Sequence, residues 1–362
     1  MFGHTRNCYN LNDIMNQRVG ICVPTRNQSG LITDALRSAF GQTLAPCDVV
    51  VSDDAGTDDT EAVVEAFRAT LPPAQRDRLR YERSAQQLKI GGNFDRAVRL
   101  AQGEFVVKLD SDDILEPEFI AVLAAGLQAN PRAGWAHCNV LNVRPDVSPL
   151  GLAHTRKTTG FYPADKALAA YLRHNDTCHC VLIRKSAYLS IGGYRPEMKT
   201  AEDWQLWLEM LLGGWGYYFD GRPLAKMRKY KARPELMSKR RMDFVASIRF
   251  MKALMKQLTR EKLAGGTPLN PETAMQIFGV TAAKLCVSSG CDEGDATVRQ
   301  MLFDAACEFY PSTGNRLWQK LGAPLPVSAT RILTRLSGLP RRCARVAVQK
   351  MRKIRTSTSC NL

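Results

Sequence analysis

The stretch that most constrains the fold is FVVKLDSDD, Phe105 to Asp113. A β-type run passes directly into three carboxylates within four positions: Asp110, Asp112 and Asp113. Like charges at the end of a buried strand repel one another and lose hydration, so something cationic has to offset them. The simplest candidate is a divalent metal held by hard oxygen ligands, with phosphate oxygens completing its shell. The alternative is an acidic turn in which Asp112 caps the helix that follows at Glu116.

The flanking chain repeats the pattern. Val19 to Val23 is a short apolar run stopped by Pro24 and leading into PTRN. Asp48 to Ser52 is a second buried run, and it too ends in carboxylates, Asp53 and Asp54. LRYER around Tyr81 reads as a third strand. Ile32, Ala35, Leu36, Ala39 and Phe40 recur at helical spacing, as do Val63, Val64 and Phe67. Phe94, Ala97, Val98 and Ala101 mark a further helix, closed by Gly103. After the FVVKL strand, Phe119, Val122, Leu123 and Leu127 mark another.

Strands alternating with helices predict an α/β domain with a mainly parallel sheet. Ligands of such sheets bind beyond the carboxyl ends of the strands. Pro24 to Asn27, Asp53-Asp54 and Asp110 to Asp113 then share one rim. No GxGxxG follows the first strand, which argues against a dinucleotide-binding oxidoreductase.

The 362 residues leave room for one domain of about 220–240 residues and an appendage. No apolar run approaches the ~18 residues of a membrane span, and the first seventeen residues lack the apolar core of a secretory leader. The expectation is a soluble, cytoplasmic protein. Its eleven cysteines are odd in number, irregularly spaced and often inside apolar runs, as for reduced thiols acting as small hydrophobes. His174, Cys178, His179 and Cys180 are the one local group of soft metal-ligand types. In a strand-like CHC their side chains alternate faces, which argues against a zinc site.

The net charge of +15 is concentrated at one end. No acidic residue follows Glu308, while eleven lysines and arginines do, leaving about +4 for the rest of the chain. Ala344, Ala347, Met351 and Ile354 make a partial apolar stripe among those cations. This is either a basic amphipathic helix suited to an anionic membrane surface or a solvated tail.

Taken in order, VGICVPTRN, ALRSAFGQT, DVVVSDDAGTDDT, GGNFDRAVRLAQGEFVVKLDSDD, IGGYRPE and AEDWQLW resemble family 2 of the inverting nucleotide-sugar glycosyltransferases, over roughly Arg18 to Lys229. The resemblance implies a GT-A fold, and that Pro24 and Arg26 flank the nucleoside while Asp54, with Asp53 beside it, reads the base edge and ribose. It implies that Asp110 and Asp112 form a DxD site for Mn²⁺ or Mg²⁺, and that Asp203 of the Glu202-Asp203 pair is the catalytic base. Asn93, Ser111 and Glu202 complete the donor-binding set that it implies. Many relatives carry Tyr at the position of Arg26; an Arg there can stack on the base or reach a phosphate.

The chemistry is consistent with those roles. A divalent ion bridging two phosphates stabilises a leaving nucleoside diphosphate. Inversion needs a general base on the opposite face of the sugar to take the acceptor proton. Asp203 opens a helix with a buried stripe of Trp204, Trp207, Leu208, Leu211 and Leu212. Its competing reading is a capping box with Thr200.

The expected organisation is an N-terminal extension over 1–17, the GT-A domain over 18–230, a helical region over 231–325 and the basic tail over 326–362. In the helical region Phe244, Ile248, Met251 and Leu254/Met255 recur at helical spacing, with further helices at about 272–288 and 295–309. Between Val143 and Pro163 lies a polar, proline-punctuated stretch that the sheet does not need, placed to touch the acceptor or to close over the donor. Gly192-Gly193 permits close approach of backbone to the sugar, or is a plain turn.

No QxxRW follows Glu202-Asp203 and no membrane span is read, so the pattern points away from a processive polysaccharide synthase. It favours transfer of a single sugar from a nucleoside diphosphate sugar, a UDP-sugar first, to a glycan or lipid-linked acceptor. The enzymatic rival is a sugar nucleotidyltransferase, but the Gly-rich basic phosphate loop expected of one is absent near Pro24. A nucleic-acid binder using the basic tail is a third reading. It lacks aromatic-basic interleaving and leaves the acidic strand ends unexplained, so no nucleic-acid partner is expected.

Overall fold

The computed structural model describes residues 18–154, 157–230, 234–262, 269–293 and 295–312. The expected N-terminal extension and the basic tail, with its Ala344 to Ile354 stripe, lie outside the described residues. The described chain runs β1 (Val19–Thr25), α1 (Ile32–Phe40), β2 (Asp48–Asp53), α2 (Thr60–Thr70), α3 (Pro73–Arg76), β3 (Leu79–Arg83), α4 (Lys89–Leu100) and β4 (Phe105–Lys108). It continues with β5 (Ile114–Leu115), α5 (Phe119–Ala129), β6 (Ala133–Val143), β7 (Pro149–Leu152), β8 (Gly160–Tyr162), α6 (Ala164–Tyr171), β9 (Val181–Arg184), α7 (Lys185–Ser190), α8 (Glu202–Leu212) and β10 (Gly216–Arg228). Three helices follow: α9 (Pro234–Lys262), α10 (Pro271–Cys291) and α11 (Ala296–Phe309).

The strands make one sheet in the order β3-β2-β1-β4-β9-β6-β10-β5, with β7 paired to β6 and β8 to β10. β3, β2, β1 and β4 are all parallel, in registers such as Val23 to Val51 and Ile21 to Val107. β1, β2 and β4 are near-continuous apolar runs because parallel strands are covered on both faces. The second half departs from a mainly parallel sheet. β9 is antiparallel to both β4 and β6, and β5, β7 and β8 are antiparallel edge strands; only β6 and β10 pair in parallel there. The fold is therefore mixed α/β with a helical C-terminal region.

The core helices bury the faces that periodicity picked out: Ile32, Ala35, Leu36 and Ala39 on α1, Phe94, Ala97 and Val98 on α4, and Phe119, Leu123 and Leu127 on α5. Three local expectations are corrected. Pro24 does not stop β1, which continues to Thr25. The Cys22 carbonyl accepts from the Leu109 amide, so Pro24, two residues on, faces the same edge beyond the end of β4, where no amide is needed. Gly103 does not cap α4, which ends at Leu100 with Ala101 extended. Its glycine is required by packing, since a Cβ would collide with the backbone of Gly20 and Phe105. The 143–163 stretch is not only loop: it carries β7 and β8.

By internal contacts the described residues divide into two compact units, one within 1–231 with 256–271, the other within 232–255 with the described residues from 272 to 312. In the second unit Val245, Ile248 and Met251 form the buried stripe of α9, so Val245 rather than Phe244 faces inward. Arg241 pairs with the buried Glu293 at 2.7 Å, and Asp295 caps α11 by accepting from Thr297 N and Val298 N. α10 and α11 fall close to the expected helices at 272–288 and 295–309.

Candidate active site

The carboxyl ends of β1, β2 and β4 lie side by side, because those strands are adjacent and parallel. At the β1 and β2 ends the polar side chains are used by the protein itself. Asp53 Oδ1 accepts from Gly56 N at 2.9 Å and Oδ2 from the Tyr81 hydroxyl at 2.5 Å. Asp54 accepts from Leu88 N at 2.5 Å and Lys89 N at 3.0 Å, which fixes the start of α4. Asn93 donates to Ser52 O and Thr25 O and accepts from Ser52 Oγ, so it ties β1 to β2. All three residues are buried. Pro24 is half-buried beside them, and Arg26 is exposed, with Nε donating to the Asp54 carbonyl at 3.1 Å.

The end of β4 is different. Lys108, 3% exposed, places its ammonium 2.6 Å from Asp110 Oδ1, and His179 Nδ1 lies 3.3 Å from Asp110 Oδ2. Burial works against the Asp110 charge, but Lys108 and His179 hold its carboxyl below the usual range. Burial and the Asp110 charge push Asp112 upward, and burial with Asp110 and Asp112 pushes Asp113 up to about 7. Ser111 is buried between them.

Arg228, 2% exposed, holds this loop from behind. It donates to the Asp112 carbonyl and to Asp34 Oδ2, both at 2.6 Å, while its backbone amide donates to Asp113 Oδ1. Asp112 therefore caps no helix, and the cap position of α5 is Glu118.

The third wall is the start of α8. Its cap position is Ala201, with no side-chain cap, so the Thr200–Asp203 capping box does not form. Ala201 takes φ 57°, a left-handed conformation that L-residues adopt at a cost. Asp203 Oδ1 accepts a short hydrogen bond from the Tyr194 hydroxyl, and Asp203 Oδ2 lies 4.0 Å from His179 Nε2. Burial and the neighbouring Asp203 push Glu202 up to about 7.

The turn that supplies Tyr194 has Gly192 at φ 84° and Gly193 at φ 81°. A Cβ on Gly193 would lie 2.5 Å from Asp95 Oδ1, so this turn is tightly packed. Arg195 then anchors it to α8 through a bidentate pair with the buried Glu209, at 2.6 and 2.9 Å.

His179 is thus the bridge between the DxD loop and α8. In sequence it stands only as one of a His/Cys group, but side chains alternate along this segment: Cys178 and Cys180 are buried, whereas the His179 side chain is 51% exposed. The same alternation carried the signal that His179 faces the opposite way, into the rim. Lys108 and Tyr194 were also missed; a lysine inside an apolar strand run is the cue that could have found the first. The Asp110 oxygen near His179 pushes the imidazole up to about 9, so it is held as a cation.

Among the described residues no group of three or more His, Cys, Asp or Glu side chains is arranged to enclose a metal alone. The donor set nonetheless fits a hard cation that shares its shell with phosphate. Asp112 is a half-buried carboxyl strained by a like charge, and Asp110 is the only one of the three acids that Lys108 contacts.

Residues 20–192 match the profile of Glycosyl transferase family 2. The chondroitin synthase of Escherichia coli is 25% identical over 192 residues, 53% of this chain and 26% of that protein. The GalNAc(5)-diNAcBac-PP-undecaprenol beta-1,3-glucosyltransferase of Campylobacter jejuni is 32% identical over 122 residues, 33% of this chain and 36% of that one. The chain therefore spans only about a quarter to a third of these curated relatives. The crystal structure of S. aureus TarS 1-349 in complex with UDP-GlcNAc superposes with a TM-score of 0.60 at 18% identity, over 91% of this chain and 88% of that one, which is a likeness of fold.

Proposed function

Residues 20–192 belong to glycosyl transferase family 2 and carry the GT-A fold, and on that premise we propose that the protein is an inverting, metal-dependent, non-processive transferase. It moves one sugar from a nucleoside diphosphate sugar, a UDP-sugar first, to a hydroxyl of a glycan or lipid-linked acceptor. The observation that carries this reading is the convergence of Asp110 and Asp203, distant in sequence, on the two nitrogens of one imidazole. It supports a donor side and an acceptor side that face one another across the place where a sugar must lie.

In this mechanism Asp112, with Asp110, would hold Mn²⁺ or Mg²⁺, and the ion would supply positive charge to offset that of a leaving diphosphate. Tyr194 fixes Asp203 through Oδ1. Asp203 Oδ2 then takes the acceptor proton while the acceptor oxygen bonds to the anomeric carbon and the bond to the diphosphate oxygen breaks on the far side. Lys108 and His179 keep Asp110 ionised and fixed. Arg26 commits only its Nε among the described residues, so its terminal nitrogens are available to the base or a phosphate. Asp53, Asp54 and Asn93 act first as the scaffold of the nucleoside side, with Pro24 beside the base; Ser111 and Glu202 line the donor site.

The TarS complex with UDP-GlcNAc supports a uridine diphosphate donor, and the C. jejuni relative, named for a PP-undecaprenol-linked glycan, supports a lipid-linked acceptor in surface glycan or glycolipid synthesis. No described helix is long and apolar enough to cross a membrane. We place the enzyme in the cytoplasm, held to an anionic inner membrane face by the basic residues that follow Glu308. The match of residues 20–192 to glycosyl transferase family 2 supports a transferase over the nucleotidyltransferase and nucleic-acid readings. The test is a screen of uridine, guanosine and thymidine diphosphate sugars for metal-dependent hydrolysis, transfer or thermal stabilisation. At least one donor should act; if none binds, the proposal fails.

A further inference from the structure

The segment between β7 and β8 sends one lysine into the protein. Lys157 is 10% exposed, and its ammonium lies 2.6 Å from Asp176 Oδ2 and 3.1 Å from His137 Nε2. It also sits over the rings of Tyr217 at 4.6 Å and Phe219 at 4.7 Å, both on β10. Burial lowers the Lys157 amine and Asp176 opposes the shift. His154 Nδ1 reaches the other Asp176 oxygen at 3.3 Å.

An ion pair with one partner this deep is a poor device for stability, because desolvation of Lys157 offsets much of its attraction to the one-third-exposed Asp176. Its best-attested use is to fix one arrangement out of several. What it fixes here is the chain from Leu172 to Cys180. Asp176 lies three residues before His179, and Thr177 is held on the other side by Tyr171 Oη at 2.6 Å and Trp135 Nε1 at 3.3 Å. The start of the same segment is tied to α8, since Trp204 Nε1 donates to Tyr171 O at 2.6 Å.

We propose that Lys157 and Asp176 are positioning residues of the transfer site: their ion pair sets the register of the 172–180 segment and so holds His179 between Asp110 and Asp203. Neither residue touches the reacting groups; both act through His179. The chain between β7 and β8 then has a function that does not require it to contact the acceptor or cover the donor. The inference rests on the reading of Asp110 and Asp203 as the two sides of the reaction.

The test uses the full chain. The double variant Lys157→Met/Asp176→Asn removes the pair without leaving a buried charge unpaired, and Asp176→Glu is the conservative variant. The ring signals of the five histidines are followed by NMR, with His179 assigned by His179→Gln. The double variant should fold with a melting temperature close to that of the parent while the His179 signal moves or broadens. Turnover should fall at least tenfold, with donor KM within about twofold, and Asp176→Glu should recover most of it. An unmoved His179 signal, unchanged turnover, or a double variant that does not fold would each overturn the proposal, the last by making the pair a stability element. If the parent shows no transfer with any donor, the functional reading fails by itself, and the NMR arm still decides whether the pair positions His179.

Discussion

Two groups of acids lie along one rim, and the protein treats them in opposite ways. Asp53 and Asp54 at the end of β2 give their oxygens to Gly56 N, Tyr81 Oη, Leu88 N and Lys89 N, donors that build the loop and start α4. Asp110, Asp112 and Asp113 at the end of β4, with Glu202 and Asp203 from α8, crowd one another, and two of the five are pushed up to about 7. In the first group each carboxylate accepts two hydrogen bonds from the protein. The second is held together by Lys108, His179 and Arg228 and still carries carboxyls that burial and like charge destabilise. An acidic strand end is therefore not a chemical signal in itself; what matters is whether the fold has already supplied its donors.

The sharpest way to break this contrast is to neutralise one acid on each side of the chemistry. Asp203→Asn should lower turnover by the ~10²–10⁴ of a lost proton acceptor and leave donor affinity nearly unchanged. Asp112→Asn should abolish metal-dependent transfer and weaken donor binding in Mn²⁺ or Mg²⁺, because a hard-cation site loses a formal charge. Steady-state kinetics and donor titration on both variants check the pair. Near-parental turnover by a stable Asp203→Asn protein would remove that residue from the mechanism.

The other side of the comparison predicts a loss of stability. Asp53→Ala strips a buried acceptor from Gly56 N and Tyr81 Oη and should cost about 1–3 kcal/mol in denaturant unfolding. A stable Asp53→Ala protein with no donor affinity would move Asp53 from scaffold to ligand contact and erase the distinction.

A pH series sharpens it further. Glu202, pushed up to about 7 by burial and Asp203, binds its proton more tightly folded than unfolded. Its contribution to stability is complete below the unfolded carboxyl value of about 4.3 and is lost as pH rises through about 7. Between about pH 4.5 and 6.5 the parent should lose about 1–2 kcal/mol more than Glu202→Gln. His179, raised to about 9, loses its contribution at higher pH and does so in both proteins. Parallel stability curves for the two proteins would show that Glu202 is not under this pressure.

The smallest effect concerns backbone aim. Ala201 in the left-handed region points Glu202 and Asp203 at the rim. Ala201→Gly relieves the strain but adds freedom to the unfolded chain, so a net gain of about 0.5–1 kcal/mol is expected with little change in turnover. A loss of stability would mean that the conformation is not strained.

The periodicity of apolar residues determined the strands and helices of the first half, since a strand buried on both faces and a helix buried on one leave different repeats. Val49 to Val51, Ile21 and Val107, and the stripes of α1, α4 and α5 were all legible for that reason. The resemblance over Arg18 to Lys229 likewise placed Asp110, Asp112 and Asp203 in one family pattern. Three things were decided only by tertiary structure. Strand direction is invisible in periodicity, so the antiparallel β9 could not be told from a parallel strand, yet it is this strand that delivers His179 to the rim. Whether Asp53-Asp54 or Asp112-Asp113 find donors within the chain depends on amides and hydroxyls contributed by distant residues, Tyr81 on Asp53 and Leu88 on Asp54 in one case and the Arg228 amide on Asp113 in the other. Lys157 and Asp176 look in sequence like two surface charges; only the packing of β10 aromatics around the ammonium buries Lys157 against the half-buried Asp176. Local sequence fixes which backbone forms, because that depends on neighbours a few residues away, whereas a charge acquires its role from the dielectric and the partners that the whole fold assembles around it.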